Sequence, residues 1–540
     1  MLCCFPGPES NKATTSLSSR GEEVDVIVVG FGGAGAVAAI EAARDGVEVV
    51  ALDRFAGGGA TAISGGVLYA GGGTRIQREA GVEDDVAAMA DYLREEIGGV
   101  VSEEALQAFC RESASNLDWL SEHGVRFDSS LCPVKTSYPS DDYFLYYSGN
   151  EGFRPWRDRA RPAPRGHRTF SSGLPGRHFF EPLRAAALAA GVEVRSHCRV
   201  RKLFRNDSGR VHAVEYDEIP AGPARWLHAQ IDFFATKVSP FVPPLGRGLR
   251  ALGRVIERSR SQRRTLHARR GVVLATGGYI HNPEMVATHA PAYVRGLPMG
   301  TAGCSGEGIA MAEAQGAQSR HLDRISAWFF LNPPSALCEG ILVDKSGERF
   351  VNEALYGASV GRALVEASGG HAFLVIDRAL WRRARAQVGG GQMQLFQTLP
   401  ALLNLWFNCG RAATPAALAR RIGCDPAAIE ATIERYNADI RSGQPDAMQK
   451  DERALLAPPY RAINCSLDDW RWPLMTLSLG GLAVDEANNG VLGNDGQPIP
   501  GLFAAGRVAA GICSNQYVSG LSLADCVSAG RRAGAAAATG

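Results

Sequence analysis

The first unbroken hydrophobic run, Val24 to Val29 (VDVIVV), predicts a short buried strand. It leads directly into Gly30-Phe31-Gly32-Gly33-Ala34-Gly35. An Ala-rich stretch then reads as a helix to about Arg44, ended by Gly46. Val47 to Leu52 is a second apolar strand closing at Asp53, which completes a βαβ unit. Two similar strands come much later: Gly271 to Ala275, running into Thr276-Gly277-Gly278, and Gly501 to Gly506. Strands so far apart that line one ligand predict a domain interrupted by another. The expected boundaries are a mobile N-terminal tail (1–23), a first part (24–289), an inserted substrate or capping domain (290–462) and a second part (463–540). Candidate helices of the insert are Thr414 to Arg421 and Asp425 to Arg441, each opened by a capping side chain. The Ala-rich tail from about Ala533 reads as the end of a helix, and there is no internal repeat.

Composition changes this picture little. Over 540 residues, 45% are hydrophobic and 21% charged, as in an ordinary globular protein, and a formal net charge of +1 gives no reason to expect nucleic acid. The 12 Cys have no zinc-ligand spacing and read as reduced thiols, so no metal is expected. The first residues lack a basic start followed by a long apolar run, and no stretch is apolar for the ~18 residues of a spanning helix. A cytoplasmic location is therefore expected.

The glycine turn carries the chemistry. Gly30 allows the tight turn, Gly32 and its neighbours Gly33 and Ala34 let backbone approach a pyrophosphate, and Gly35 lets helix and strand pack closely. The helix N-terminus favours the anion, and Asp53 can accept ribose hydroxyls. After Arg54 comes Gly58-Gly59-Ala60-Thr61-Ala62-Ile63-Ser64-Gly65-Gly66, which can run beneath an isoalloxazine ring. Ala275, Thr276, Gly277 and Gly506 would complete the diphosphate and ribityl shell. Three glycine-rich segments point to FAD rather than NAD. The expected fold is thus α/β: a Rossmann-like FAD-binding domain interrupted by an α+β capping domain.

At these residues the chain resembles the fumarate reductase/succinate dehydrogenase flavoprotein superfamily, and more narrowly the 3-ketosteroid dehydrogenases of the Δ4-(5α) type. The narrower match rests on Tyr147-Ser148-Gly149, Ala163-Pro164-Arg165-Gly166-His167, Arg349 to Tyr356 (RFVNEALY) and Gln516 to Leu523 (QYVSGLSL). Fumarate reductases carry an arginine shortly after the Asn-Glu pair and a His ahead of a Met-Gly-Gly. Here Tyr356-Gly357 and Thr476 to Gly481 (TLSLGG) stand in those places, which disfavours a dicarboxylate substrate. Where relatives often read Gly-Glu, this chain has Gly506-Arg507.

The resemblance implies roles. Tyr517 polarises a ketone, helped by a backbone N–H near Leu521, while Ser519 and Tyr356 form the relay that removes the C4 proton. An exchange of roles between Tyr517 and Ser519 stays open. Tyr147, Gly520 and Leu521 are assigned to the steroid. Val200, Ser522 and Leu523 join the FAD-binding positions, with the final helix pointing its N-terminus at the flavin N1–C2=O edge. FAD is expected to be non-covalent, with an unknown electron acceptor. The implied reaction introduces a C4–C5 double bond into a 3-ketosteroid. Δ1-dehydrogenation, a flavin enoate reductase and an inactive flavin-binding protein are the alternatives. Arg165 and His167 are read as structural, and Tyr143, Tyr146 and Tyr147 as either a pocket wall or a packed strand.

The stretch from about Asp217 to His267 looks inserted relative to the family. Arg247, Arg250, Arg254, Arg258, Arg260, Arg263 and Arg264 stand against a single Glu257, with Leu245, Leu249, Leu252 and Ile256 at near-helical spacing. A basic amphipathic helix in an anionic membrane interface, contacting through 226–264, is one reading; a surface excursion or subunit contact is the other.

Overall fold

The computed structural model describes residues 22–239, 241–389, 393–469 and 471–540. The expected tail therefore lies outside the described residues, except Glu22 and Glu23, which already belong to the first strand. In chain order the elements that position the site are β1 (Glu22–Val29), α1 (Gly33–Ala42), β2 (Val49–Asp53), β3 (Glu193–Ser196), β4 (Cys198–Arg205), β5 (Val211–Glu218), α2 (Pro223–Val238), α3 (Pro243–Arg260) and β6 (Gln262–Leu274). They continue with β7 (Ile341–Val343), α4 (Gly357–Glu366), β8 (Phe373–Asp377), α5 (Arg378–Gly389), α6 (Leu395–Phe407), β9 (Cys409–Ala412) and β10 (Tyr460–Asn464), then β11 (Gly490–Leu492), β12 (Pro498–Ala504) and α7 (Leu521–Thr539).

The main sheet runs β11-β12-β6-β1-β2-β3, with β4 and β5 attached through β6. β12, β6, β1, β2 and β3 pair in parallel, so the early βαβ unit and the two late strands share one sheet. The central strands are buried on both faces, which explains their unbroken apolar runs. α1 and α7 pack together over the sheet through small residues: a Cβ at Gly534 would sit 2.9 Å from the Ala38 Cα. A second, antiparallel sheet, β7-β8-β10-β9, lies in the interrupting lobe. β10 ends at Asn464, so the expected boundary at 462 falls inside a strand. Thr414 and Asp425 cap helices Pro415–Ile422 and Pro426–Arg441 with their side chains.

The expected insertion is narrower than 217–267. Asp217 and Glu218 belong to β5, and β6 begins at Gln262, so the excursion proper is the helical hairpin of α2 and α3. Arg263 and Arg264 lie on β6 and pair across it with Asp217 and Glu218. The stripe read from α3 splits: Ile256 and Leu249 pack against Ile231 and Ile219, while Leu245 and Leu252 face solvent. The covering helix α2 takes half of the apolar face. On the inner side, Glu257 binds Arg54 (2.8 Å), Arg199 (3.1 Å) and His228 (3.3 Å).

Candidate active site

The glycine turn is built as its spacing requires. Gly30 has φ +95°, and a Cβ there would lie 2.5 Å from the Ala275 carbonyl oxygen on the next strand. A methyl at Gly35 would overlap the Gly30 carbonyl. The Gly33 N–H donates to the Thr61 hydroxyl (3.1 Å), which ties the turn to the short helix Gly59–Ala62. Ser64 donates to the Thr61 carbonyl (2.8 Å), Tyr138 to the Gly65 carbonyl (2.8 Å) and Thr169 to that of Gly66 (2.8 Å). The whole 59–66 segment, Ala60 included, is thereby pinned next to α1.

Asp53 and Arg54 also hold the protein's own loops. Asp53 accepts backbone N–H groups from Phe31 (2.8 Å) and Phe55 (2.8 Å), one on each oxygen. It clamps two loops, with the remaining lone pairs open to ribose hydroxyls. The Arg54 guanidinium is held by Glu257 and, at 3.3 Å, by Glu307, so its side chain ties this loop to the hairpin. Val200 lies in β4 with its side chain in the core, leaving its backbone as the contact.

The remaining residues fit an FAD. Thr276 Oγ1 and Arg507 Nη1 are buried without any partner beside Ala275, Gly277 and Gly506. Gly520 caps α7, so Ser522 lies inside the first turn and is not the cap. The Leu521 N–H donates to the Val518 carbonyl (3.0 Å). The amides of Ser522 and Leu523 keep no acceptor among the described residues, as the open end of a helix over an anionic ring edge should.

Tyr356, Tyr517 and Ser519 come together although their segments are remote in sequence. Ser519 Oγ lies 3.1 Å from Tyr146 Oη, and the Ser519 hydroxyl is near enough to the Tyr356 phenol to bear on its ionisation. Burial lifts the Tyr356 phenol well above its ordinary value, with Tyr517 and Tyr146 adding to it and the Ser519 hydroxyl opposing. Burial pushes Tyr517 up to about 12, against the pull of the Gly520 backbone amide. These phenols are neutral near neutral pH: they donate and relay protons and do not act as standing anions. Trp328 packs on Tyr517 (4.6 Å between ring centres) and Phe330 on Tyr356 (6.2 Å), walling the cluster from the capping side.

Tyr146, not Tyr147, faces Ser519. Neighbouring side chains on an extended segment point opposite ways, and Tyr147 is half-buried beside Glu151, with its carbonyl bound by Lys135 (3.0 Å). Asn150 is a hub that sequence reading missed. Its Oδ1 accepts the Tyr356 N–H (2.7 Å), and its Nδ2 donates to Glu96 (2.9 Å) and to Ser359 (2.9 Å), whose hydroxyl also takes Gln516 (2.6 Å). Arg507 was visible only as a departure from Gly-Glu. Nothing local marks Asn150, Trp328 or Phe330, whereas Tyr146 stood in the tyrosine run read as a pocket wall or a packed strand. Arg165 is locked onto Asp84 with both groups fully buried, and neutral His167 bridges the Arg165 carbonyl (3.0 Å) and Thr74 (2.9 Å), burial holding it down to about 4.

The FAD binding domain family matches residues 25–523. A 3-oxo-5-alpha-steroid 4-dehydrogenase of Comamonas testosteroni is 38% identical over 89% of this chain and 92% of its own length. A 3-oxosteroid 1-dehydrogenase of Mycobacterium tuberculosis is 27% identical over 92% of this chain and 94% of its own. The crystal structure of 3-ketosteroid-delta4-(5alpha)-dehydrogenase from Rhodococcus jostii RHA1 in complex with 4-androstene-3,17-dione superposes with a TM-score of 0.80. That structure is 32% identical, and the match covers 96% of this chain and 98% of that one. With a glycine turn, three converging glycine segments and orphaned donors around them, the chain belongs to the FAD binding domain family of flavoprotein oxidoreductases.

Proposed function

We propose that this protein dehydrogenates the A ring of a 3-ketosteroid between C4 and C5. The convergence of Tyr356, Tyr517 and Ser519 at the seam of the two lobes carries this reading. Tyr517 donates a hydrogen bond to the C3 carbonyl and stabilises the enolate that forms as C4 loses its proton. Ser519 Oγ accepts that proton as its own passes to the Tyr356 oxygen and Tyr356 releases its phenol proton towards water, so the relay ends with both side chains neutral and one proton delivered out of the site. FAD, bound non-covalently, supplies the chemistry that takes the C5 hydrogen with its two electrons. The apolar walls of Trp328 and Phe330 exclude water and match a hydrocarbon ring system. Anaerobic mixing with 5α-androstane-3,17-dione tests the reading: flavin bleaching with a 4-ene-3-one product is expected. A 1-ene product moves the reaction to C1–C2, on the other side of the C3 ketone, and no bleaching in the flavin-loaded protein removes saturated ketosteroids as substrates.

Peripheral membrane contact through the α2–α3 hairpin belongs to the same reading. Trp226, Phe233, Phe234 and Phe241 are exposed there among Arg247, Arg254 and Arg258. Unchanged liposome co-sedimentation after deletion of the hairpin would remove it.

A further inference from the structure

A different element presents a broader apolar face. α6 has no charged residue (LFQTLPALLNLWF), and Leu395, Phe396, Leu399, Pro400, Leu403, Trp406 and Phe407 are all exposed. At 100° per residue these seven positions fall within about 140° of arc, so they form one stripe. Leu395 is 84% exposed, Phe407 77% and Leu399 57%, far beyond what a helix leaves in water without cause.

The helix sits against the segment that supports the flavin loop. Phe396 packs edge-on against Tyr138 (5.8 Å), and Gln394 at its start binds the Pro139 carbonyl (3.2 Å) and Asp141 (2.7 Å). Tyr138 in turn holds Gly65, in the segment expected beneath the flavin. α6 thus bridges the capping lobe and the flavin loop.

The charge around the stripe is one-sided. Between Asp377 and Asp425 the chain has no Asp or Glu and seven arginines. Arg378, Arg382 and Arg385 on the adjoining α5 are exposed and have no acidic partner among the described residues, and Arg385 lies over the Trp406 ring (4.3 Å). We propose that the α5–α6 face docks on an anionic phospholipid bilayer, with the α6 stripe in the acyl boundary and the α5 arginines at the headgroups. A second copy of this chain is a poorer occupant, because a two-fold contact through the stripe sets the same arginines against each other. The choice of a bilayer also rests on the ketosteroid reading, since such a substrate dissolves in lipid.

The test is co-sedimentation of the flavin-loaded protein with phosphatidylcholine–phosphatidylglycerol vesicles. The variants are Leu399→Gln/Leu403→Gln/Phe407→Gln, whose positions are exposed enough to keep the fold, and a hairpin deletion as comparison. Expected are binding by the parent, weaker binding to pure phosphatidylcholine or in high salt, and at least about a tenfold loss in the triple variant with flavin retained. Failure of the parent to bind, equal binding by the triple variant, or loss only in the hairpin deletion overturns the proposal. So does a triple variant that merely turns a dimer into a monomer. Vesicle binding needs no turnover: a protein that binds vesicles but leaves ketosteroids untouched overturns the substrate reading alone.

Discussion

At the scale of single residues, the site works through neutral phenols made useful by position. Tyr517→Phe removes one donor aimed at a developing enolate while sparing the glycine segments. Turnover should fall by about 10²-fold or more with the yellow colour intact, read by steady-state kinetics beside the flavin spectrum. Unchanged activity would dismiss Tyr517 as the polarising group. Glu96 offers a pH signature. Burial lifts its carboxyl from the usual 4.5 to about 7, against hydrogen bonds from Asn150 and Tyr92; Glu151 faces it with like charge and Lys135 with opposite charge. The folded chain therefore holds a proton there that the unfolded chain has released. Stability falls as pH rises from 4.5 to about 7 and stays lowered above that. Glu96→Gln should raise Tm at about pH 8, worth on the order of 1–3 kcal/mol, and change it little near pH 4.5. An equal shift at both pH values would mean that Glu96 does not titrate in this window.

At the scale of elements, what could be read in advance depended on whether a residue's partner was local. The strand, turn and helix from Val24 to Arg44 and the caps at Thr414 and Asp425 are short-range devices, and their spacing was enough to find them. The hairpin shows the limit. Periodicity located the apolar side of α3, but only the presence of α2 decides that Ile256 is covered and Leu252 is not. Asn150 gave no signal because the Tyr356 N–H it holds lies more than 200 residues away, and the tyrosine run could not tell which of its members faces Ser519, 373 residues on. Glu257 is the hairpin's anchor: a buried carboxylate facing Arg54, Arg199 and His228, held down to about 2 by these partners against the cost of burial. Glu257→Ala should destabilise the fold by roughly 3 kcal/mol, because it leaves Glu307 alone to balance the Arg54 and Arg199 guanidinium groups. It should also open residues 219–261 to limited proteolysis; a hairpin as resistant as the parent's would mean that apolar packing alone holds it.

At the scale of the whole molecule, catalysis depends on the register of two lobes, and Asn150 fixes it by joining the start of α4 to Glu96 and, through Ser359, to the Gln516–Tyr517 segment. Asn150→Ala should lower kcat at least about tenfold with flavin still bound, because Tyr356 loses its alignment with Ser519. Asn150→Asp, which keeps the acceptor for the Tyr356 N–H, should recover part of it. Equal kcat in the alanine variant would show that the seam holds without this hub. The sheet itself has a consequence in time. β1, β6 and β12 are neighbours in space, yet they leave the ribosome near the beginning, middle and end of synthesis. Closing such wide loops is slow, and the last wall of the flavin's berth arrives only with α7. Until then the growing polypeptide has no complete nest for a dinucleotide, so loading belongs to the finished chain. The early βαβ unit must wait, half-clothed, for strands translated long after it.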